Sequence, residues 1–171
     1  MVDLVARRGE EIYANTIKKK GYFDYEELYF FCFGWFKEMG YTLLENSYIE
    51  KVSDFGKEIL LEWVASRKVN DYFKYVIKSS WQILGLNPAE IEEGGKKIET
   101  NKGELKMKVK GSLVRDYGGR WKKKSLFGPL RNMYEGYVIR KNIDEYEERA
   151  YEEVDQFVNE LKEHLGLEGK E

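Results

Sequence analysis

Arginine, lysine and tryptophan crowd together at Arg120-Trp121-Lys122-Lys123-Lys124, with Arg115 before the cluster and Arg131 beyond it. Such cations can neutralise phosphates while the indole stacks on a base, the chemistry of nucleic-acid binding. The same residues can lie on an anionic bilayer, with Trp121 and Phe127 in the interface. The 115–131 segment is therefore the candidate anion-binding region, and nucleic acid or a membrane surface its candidate partner. Charge is segregated along the chain in support. Residues 1–95 carry a net −4, residues 96–141 a net +10 and residues 142–171 a net −8. A competing reading is self-complementary, with strand lysines facing the glutamates of the last segment.

Nucleophilic and metal chemistry have few residues to draw on. The single histidine, His164, sits near the C-terminal end of a predicted helix, where a cation suits the helix dipole. The single cysteine, Cys32, lies in an apolar stripe and has no partner for an internal disulfide. A zinc site of the usual kind cannot be assembled from one of each. Asp116-Tyr117-Gly118-Gly119-Arg120 lacks the lysine and spacing of a phosphate loop. Carboxylates are plentiful, and Arg115, Asp116 and Tyr117 close a predicted strand. Neighbours on a strand point to opposite faces, so an ordinary surface ion pair is the better reading. No catalytic residue, metal or cofactor is expected, and an enzyme is the minority reading.

Several elements must hold these residues. At 171 residues, with 15% aromatics, the chain can bury a core without metal or disulfide and is expected to form one domain over 1–171. No run approaches the ~18 apolar residues of a membrane span, and the start shows no secretory signal, so a cytoplasmic location is expected. Asn142 to Leu165 reads as a long amphipathic helix. Ile143, Tyr146, Ala150, Val154, Phe157, Val158, Leu161 and Leu165 recur at helical steps, with a capping box from Asn142 to Glu145. Asp24 and Glu27 form another capping box, opening a helix that Gly40 closes. Its apolar residues run nearly all round the cylinder, which predicts burial.

Between the helices the period changes to two. Glu10–Lys20, Thr42–Ser53, Lys57–Arg67 and Tyr72–Leu84 read as strands, the second and third joined at Asp54-Phe55-Gly56. Phe73, Tyr75, Ile77, Trp81 and Ile83 share one face of the last. Asn87-Pro88 is expected to break it. Ile91 and Ile98 flank a Gly94-Gly95 hairpin turn. From Gly103, Leu105, Met107 and Val109 point one way. Lys106, Lys108 and Lys110 point the other, where they are expected to face water and oppose aggregation. Phe127, Leu130, Met133, Tyr134 and Tyr137 suggest a short helix. The expected fold class is α+β: a curved antiparallel sheet of about six to seven strands wrapped around the C-terminal helix, with one buried N-terminal helix.

This element order, from Glu10 to Leu165, resembles the helix-grip fold of START and Bet v 1-like (SRPBCC) proteins, although that family usually has two short helices where one longer helix is found here. Around Tyr137 to Lys170, the IRKNIDEYEERAYEEV run also resembles small uncharacterised archaeal proteins. The helix-grip resemblance implies a cavity between sheet and final helix that takes hydrophobic or amphipathic small molecules. Tyr146, Ala150 and Phe157 would line one wall, and Trp63, Phe73, Tyr75 and Trp81 the other. Tyrosine and tryptophan offer apolar bodies with polar handles for orienting such a ligand. A filled core is the competing reading. Function is thus expected to be non-enzymatic: binding a hydrophobic small molecule under the last helix or, alternatively, binding anionic partners through the 115–131 segment.

Overall fold

The computed structural model describes residues 9–115, 117 and 140–167. In chain order these form β1 (Gly9–Phe23), α1 (Tyr25–Glu38), β2 (Thr42–Ser53), β3 (Gly56–Lys68), β4 (Phe73–Glu93), β5 (Lys96–Arg115) and α2 (Arg140–His164). The strands make one five-stranded sheet in the order β1-β5-β4-β3-β2, with every neighbouring pair antiparallel. The class is α+β, as expected. The predicted helix at 127–137 lies outside the described residues.

Five strands stand where six or seven were expected, because two predicted breaks are only bends. β4 continues through Asn87-Pro88 after a register shift between Leu84 and Asn87. Asn87 Nδ2 donates to the Phe55 and Gly85 carbonyls across that shift, at 2.9 and 3.2 Å. Pairing of β3 with β4 ends at Lys57↔Leu86, so Pro88 sits where β4 has no neighbour on that side. A missing N–H costs little at such an edge. β5 likewise runs through Gly103, which pairs with Gly21 of β1, itself expected to end at Gly21 but continuing to Phe23. The hairpin at Gly94-Gly95 is present, with both glycines at positive φ (61° and 77°), backbone that glycine adopts at low cost.

Asp24 caps α1 by accepting from the Glu27 amide at 3.0 Å. Leu28, Cys32, Trp35 and Phe36 of α1 are buried, but Phe30 and Phe33 face solvent, so the helix is buried on one side only. The start of α2 also differs from expectation. Asn142 is its third residue rather than its cap, because the helix begins at Arg140.

Both helices pack on the same face of the sheet. Tyr29 and Phe36 of α1 meet Trp63, with ring centroids at 5.0 and 6.4 Å. α2 crosses β1 and β5, where the Tyr13 hydroxyl donates to Asp155 at 3.1 Å. A Cβ on Gly111 would lie 2.7 Å from Val154 Cγ2, so only glycine lets the helix come this close. The core lies between helices and sheet, and its largest fully enclosed side chains include Trp63, Trp81, Phe36 and Phe157.

Candidate interaction face and the packed interior

The seven residues expected to line a ligand cavity are all in the helix-facing layer, and they separate into two groups. Trp63, Trp81 and Phe157 gather around α1. The two indoles stand 5.1 Å apart, while Phe157 lies 4.8 Å from Trp35 and 4.9 Å from Phe36. Phe73, Tyr75 and Tyr146 gather near the N-terminal half of α2, where the Phe73 and Tyr146 rings lie 4.4 Å apart. Ala150 is buried between the groups along the helix. Rings from the expected opposite walls touch, so the walls are each other's packing partners.

The polar handles are engaged as well. Trp63 Nε1 donates to Glu45 Oε1 and Trp81 Nε1 to Ser79 Oγ, each at 3.1 Å. Asn70 Nδ2 donates to the Tyr146 hydroxyl at 3.1 Å, and the Tyr75 hydroxyl donates to the Tyr146 carbonyl at 3.4 Å. The Tyr75 pKa is raised, chiefly by burial and then by the Glu153 charge.

Sequence reading missed the polar centre of this layer. Arg67 Nη2 donates to both Glu153 carboxylate oxygens at 2.8 and 2.9 Å, and Nη1 donates to the Met39 carbonyl at 2.8 Å. The Tyr41 hydroxyl donates to Glu153 as well. Its pKa is raised, chiefly by burial and then by that bond. Arg67 thus ties the end of α1 and strand β3 to α2, and its guanidinium also lies over the Tyr41 ring at 5.0 Å. No periodicity marks a pair 86 residues apart in sequence.

Of the expected anion-binding residues, Arg115 is described; Arg120, Trp121, Lys122, Lys123, Lys124 and Arg131 lie outside the described residues. Arg115 holds Glu10 at 2.7 Å and stands 3.6 Å from Glu147. The Glu147 pKa is raised, chiefly by burial and then by its bond to Glu10. Arg115 therefore links the sheet to α2. The Tyr117 hydroxyl donates to the Asn70 carbonyl at 2.6 Å. His164 stacks on Phe31, with centroids 4.4 Å apart, at the rim of a surface groove shared with Asp24, Glu26 and Glu27. Asp24 is engaged there as the helix cap. Cys32 is buried and its thiol is pushed up by that burial. Among the described residues no helix is long and apolar enough to cross a membrane.

The solvent face of the sheet gathers charge instead. Ile17, Leu105, Met107, Val109, Ile77 and Trp81 are buried on the helix side, so the residues alternating with them point away. Lys18 of β1 lies directly opposite Lys106 of β5, and Lys78 of β4 directly opposite Lys110. Lys108 sits between, flanked by Thr16 and Ser80. Opposed like charges are destabilising by a fraction of a kcal/mol each. Neutralisation among the described residues is sparse: Glu11 stands 3.7 Å from Lys110, and Glu104 holds Lys20 at 3.2 Å. The competing reading, in which these strand lysines face the glutamates of the last helix, is not met among the described residues, because α2 lies behind the sheet. A groove of about 290 Å³ opens on this face, with Ile49, Leu60 and Glu62 on one side and Lys106 and Lys108 on the other.

No protein-family model, no curated protein and no solved structure matches the chain.

Proposed function

We propose that this protein is a non-enzymatic interaction module that binds an anionic partner through the solvent face of its sheet. The observation that carries this reading is the double opposition of Lys18 to Lys106 and of Lys78 to Lys110 across neighbouring strands. An anion laid over β5 would relieve both repulsions and meet Lys108 between them. Binding would therefore weaken steeply with salt. The reading keeps the expected class of partner but moves its centre from the 115–131 segment to the strands.

A hydrophobic small molecule under α2 finds less support, since the residues that would line its cavity pack against one another. In the helix-grip arrangement that the element order resembles, the sheet curves around the last helix. The close approach of Val154 to Gly111 supports α2 as the element gripped, with side chains rather than a ligand filling the space.

The test is retention on a phosphorylated polyanion resin at low and raised salt. The native chain should be held at low salt and released as salt rises. A K78A/K106A/K108A/K110A variant, checked for native near-ultraviolet circular dichroism, should lose retention. If that variant is held as tightly as the native chain while K122A/K123A/K124A is released, the sheet-face reading is wrong.

A further inference from the structure

We infer that the anionic partner is the surface of a lipid bilayer, an inference that rests on the sheet-face reading above and names its ligand. The lysine stripe does not stand alone. On the same face, β2, β3 and β4 carry Leu44, Ile49, Leu60, Val64 and Leu84, of which Leu44, Ile49 and Leu84 are 50%, 44% and 40% exposed. The face therefore carries a cationic stripe over β1, β5 and β4, and beside it over β3 and β2 aliphatic side chains interspersed with Ser47, Glu58 and Glu62. The groove bordered by Ile49, Leu60, Lys106 and Lys108 runs along the boundary. Apolar surface beside a basic stripe matches an interface that is both anionic and oily.

Two features of the face favour lipid over nucleic acid. Every cation in the stripe is a lysine, while Arg67 and Arg115 are used on the helix side. Lysine is a point charge that suits a diffuse anionic surface, whereas arginine's fork suits bidentate recognition of phosphates and bases. Among the described residues, stacking partners for bases are also scarce on this face. The ring this face of the strands offers is Tyr22, at one end, with Lys102 Nζ over it at 5.5 Å. Single-stranded nucleic acids are held largely by stacking on such rings. Aliphatic side chains offer none, but they can settle among headgroups once lysines have drawn the face to the membrane. Glu62 borders the groove and opposes binding locally, so the lysines on β5 carry the attraction.

The experiment is co-sedimentation with phosphatidylcholine vesicles, with and without phosphatidylserine, alongside single-stranded and duplex DNA. The native chain should sediment with the phosphatidylserine vesicles and not with phosphatidylcholine alone. Each lysine removed from Lys78, Lys106, Lys108 and Lys110 should weaken binding by roughly fivefold. I49S/L84S, which leaves charge untouched, should weaken vesicle binding several-fold and leave any DNA binding unchanged. Lysine-dependent binding to DNA without vesicle binding would overturn the bilayer inference and leave the anion-binding reading standing. Lysine-dependent binding to neither would overturn both. Vesicle binding that the lysine variants do not change would overturn the inference as well.

Discussion

The two faces of this sheet are built from the same strands and differ by one residue in register. On β5, Leu105, Met107 and Val109 are buried under the helices, while Lys106, Lys108 and Lys110 stand on the other side. The helix-facing layer is held by mutual satisfaction: rings pack on rings, and Arg67, Glu153 and Tyr41 bond one another. Among the described residues the outer face around Lys106 and Lys108 is held by sparser contacts, such as Lys20 with Glu104 and Lys110 with Glu11, and opposed lysines there cost stability. Residues that stabilise the fold and residues proposed to serve it are thus interleaved along one strand. The face that contributes least to stability is the better candidate for function.

Core substitutions should break the comparison most severely. Trp63→Ala, removing an indole packed against Trp81 and Tyr29, should destabilise the chain by about 3–5 kcal/mol in urea unfolding. A comparable loss from an outer-face alanine would erase the distinction between the faces.

Alkaline pH should act next, and on the inner face. Burial, above all, pushes Tyr13 up to about 12; Asn15 pulls it down and Asp155 adds to the rise. Tyr25, Tyr29, Tyr41 and Tyr75 are raised as well, with burial the largest cause in each. A phenol whose pKa is raised by folding contributes stability that is complete below its unfolded value of 10.0. That contribution is lost as pH climbs through the folded value, since the unfolded chain binds fewer protons there. Tyrosinate absorbance of the native chain should therefore lag that of the urea-unfolded chain, and stability should fall above about pH 10. Superimposable titrations would show that the inner layer is wetter than its packing implies.

Closer contacts should give intermediate effects. Gly111→Ala places a methyl against Val154 and should cost about 1–3 kcal/mol, read as a lower urea midpoint. Glu153→Gln weakens the bonds to Arg67 and Tyr41, whose partners are only partly exposed, and should cost about 1–3 kcal/mol. Lys106→Ala should have the smallest effect. It removes a like-charge opposition, so stability should hold within about 0.5 kcal/mol, with any change toward greater stability.

Much of the architecture was legible in the residues. Period-two runs located the strands, and the Gly94-Gly95 pair fixed a turn because its backbone demands glycine. The helical period of Ala150, Val154, Phe157, Val158 and Leu161 named the buried side of α2. Strand number was not legible, because Asn87-Pro88 and Gly103 signal a break wherever they occur. Only the lack of a β3 neighbour beside Pro88, and the Gly21 partner across from Gly103, turned those signals into bends. The Arg67–Glu153 pair was equally hidden, since a salt bridge between distant segments leaves no periodic mark.

The sequence by itself determined which residues alternate, and so that Lys106, Lys108 and Lys110 share a face opposite to Leu105, Met107 and Val109. Alternation is a local property of extended backbone, fixed by geometry within a few residues. Which neighbours those lysines meet was decided only by the tertiary structure. Strand order placed Lys18 and Lys78 where repulsion is felt, and the docking of α2 on the other face kept its glutamates from cancelling it. Both depend on contacts between segments far apart in the chain.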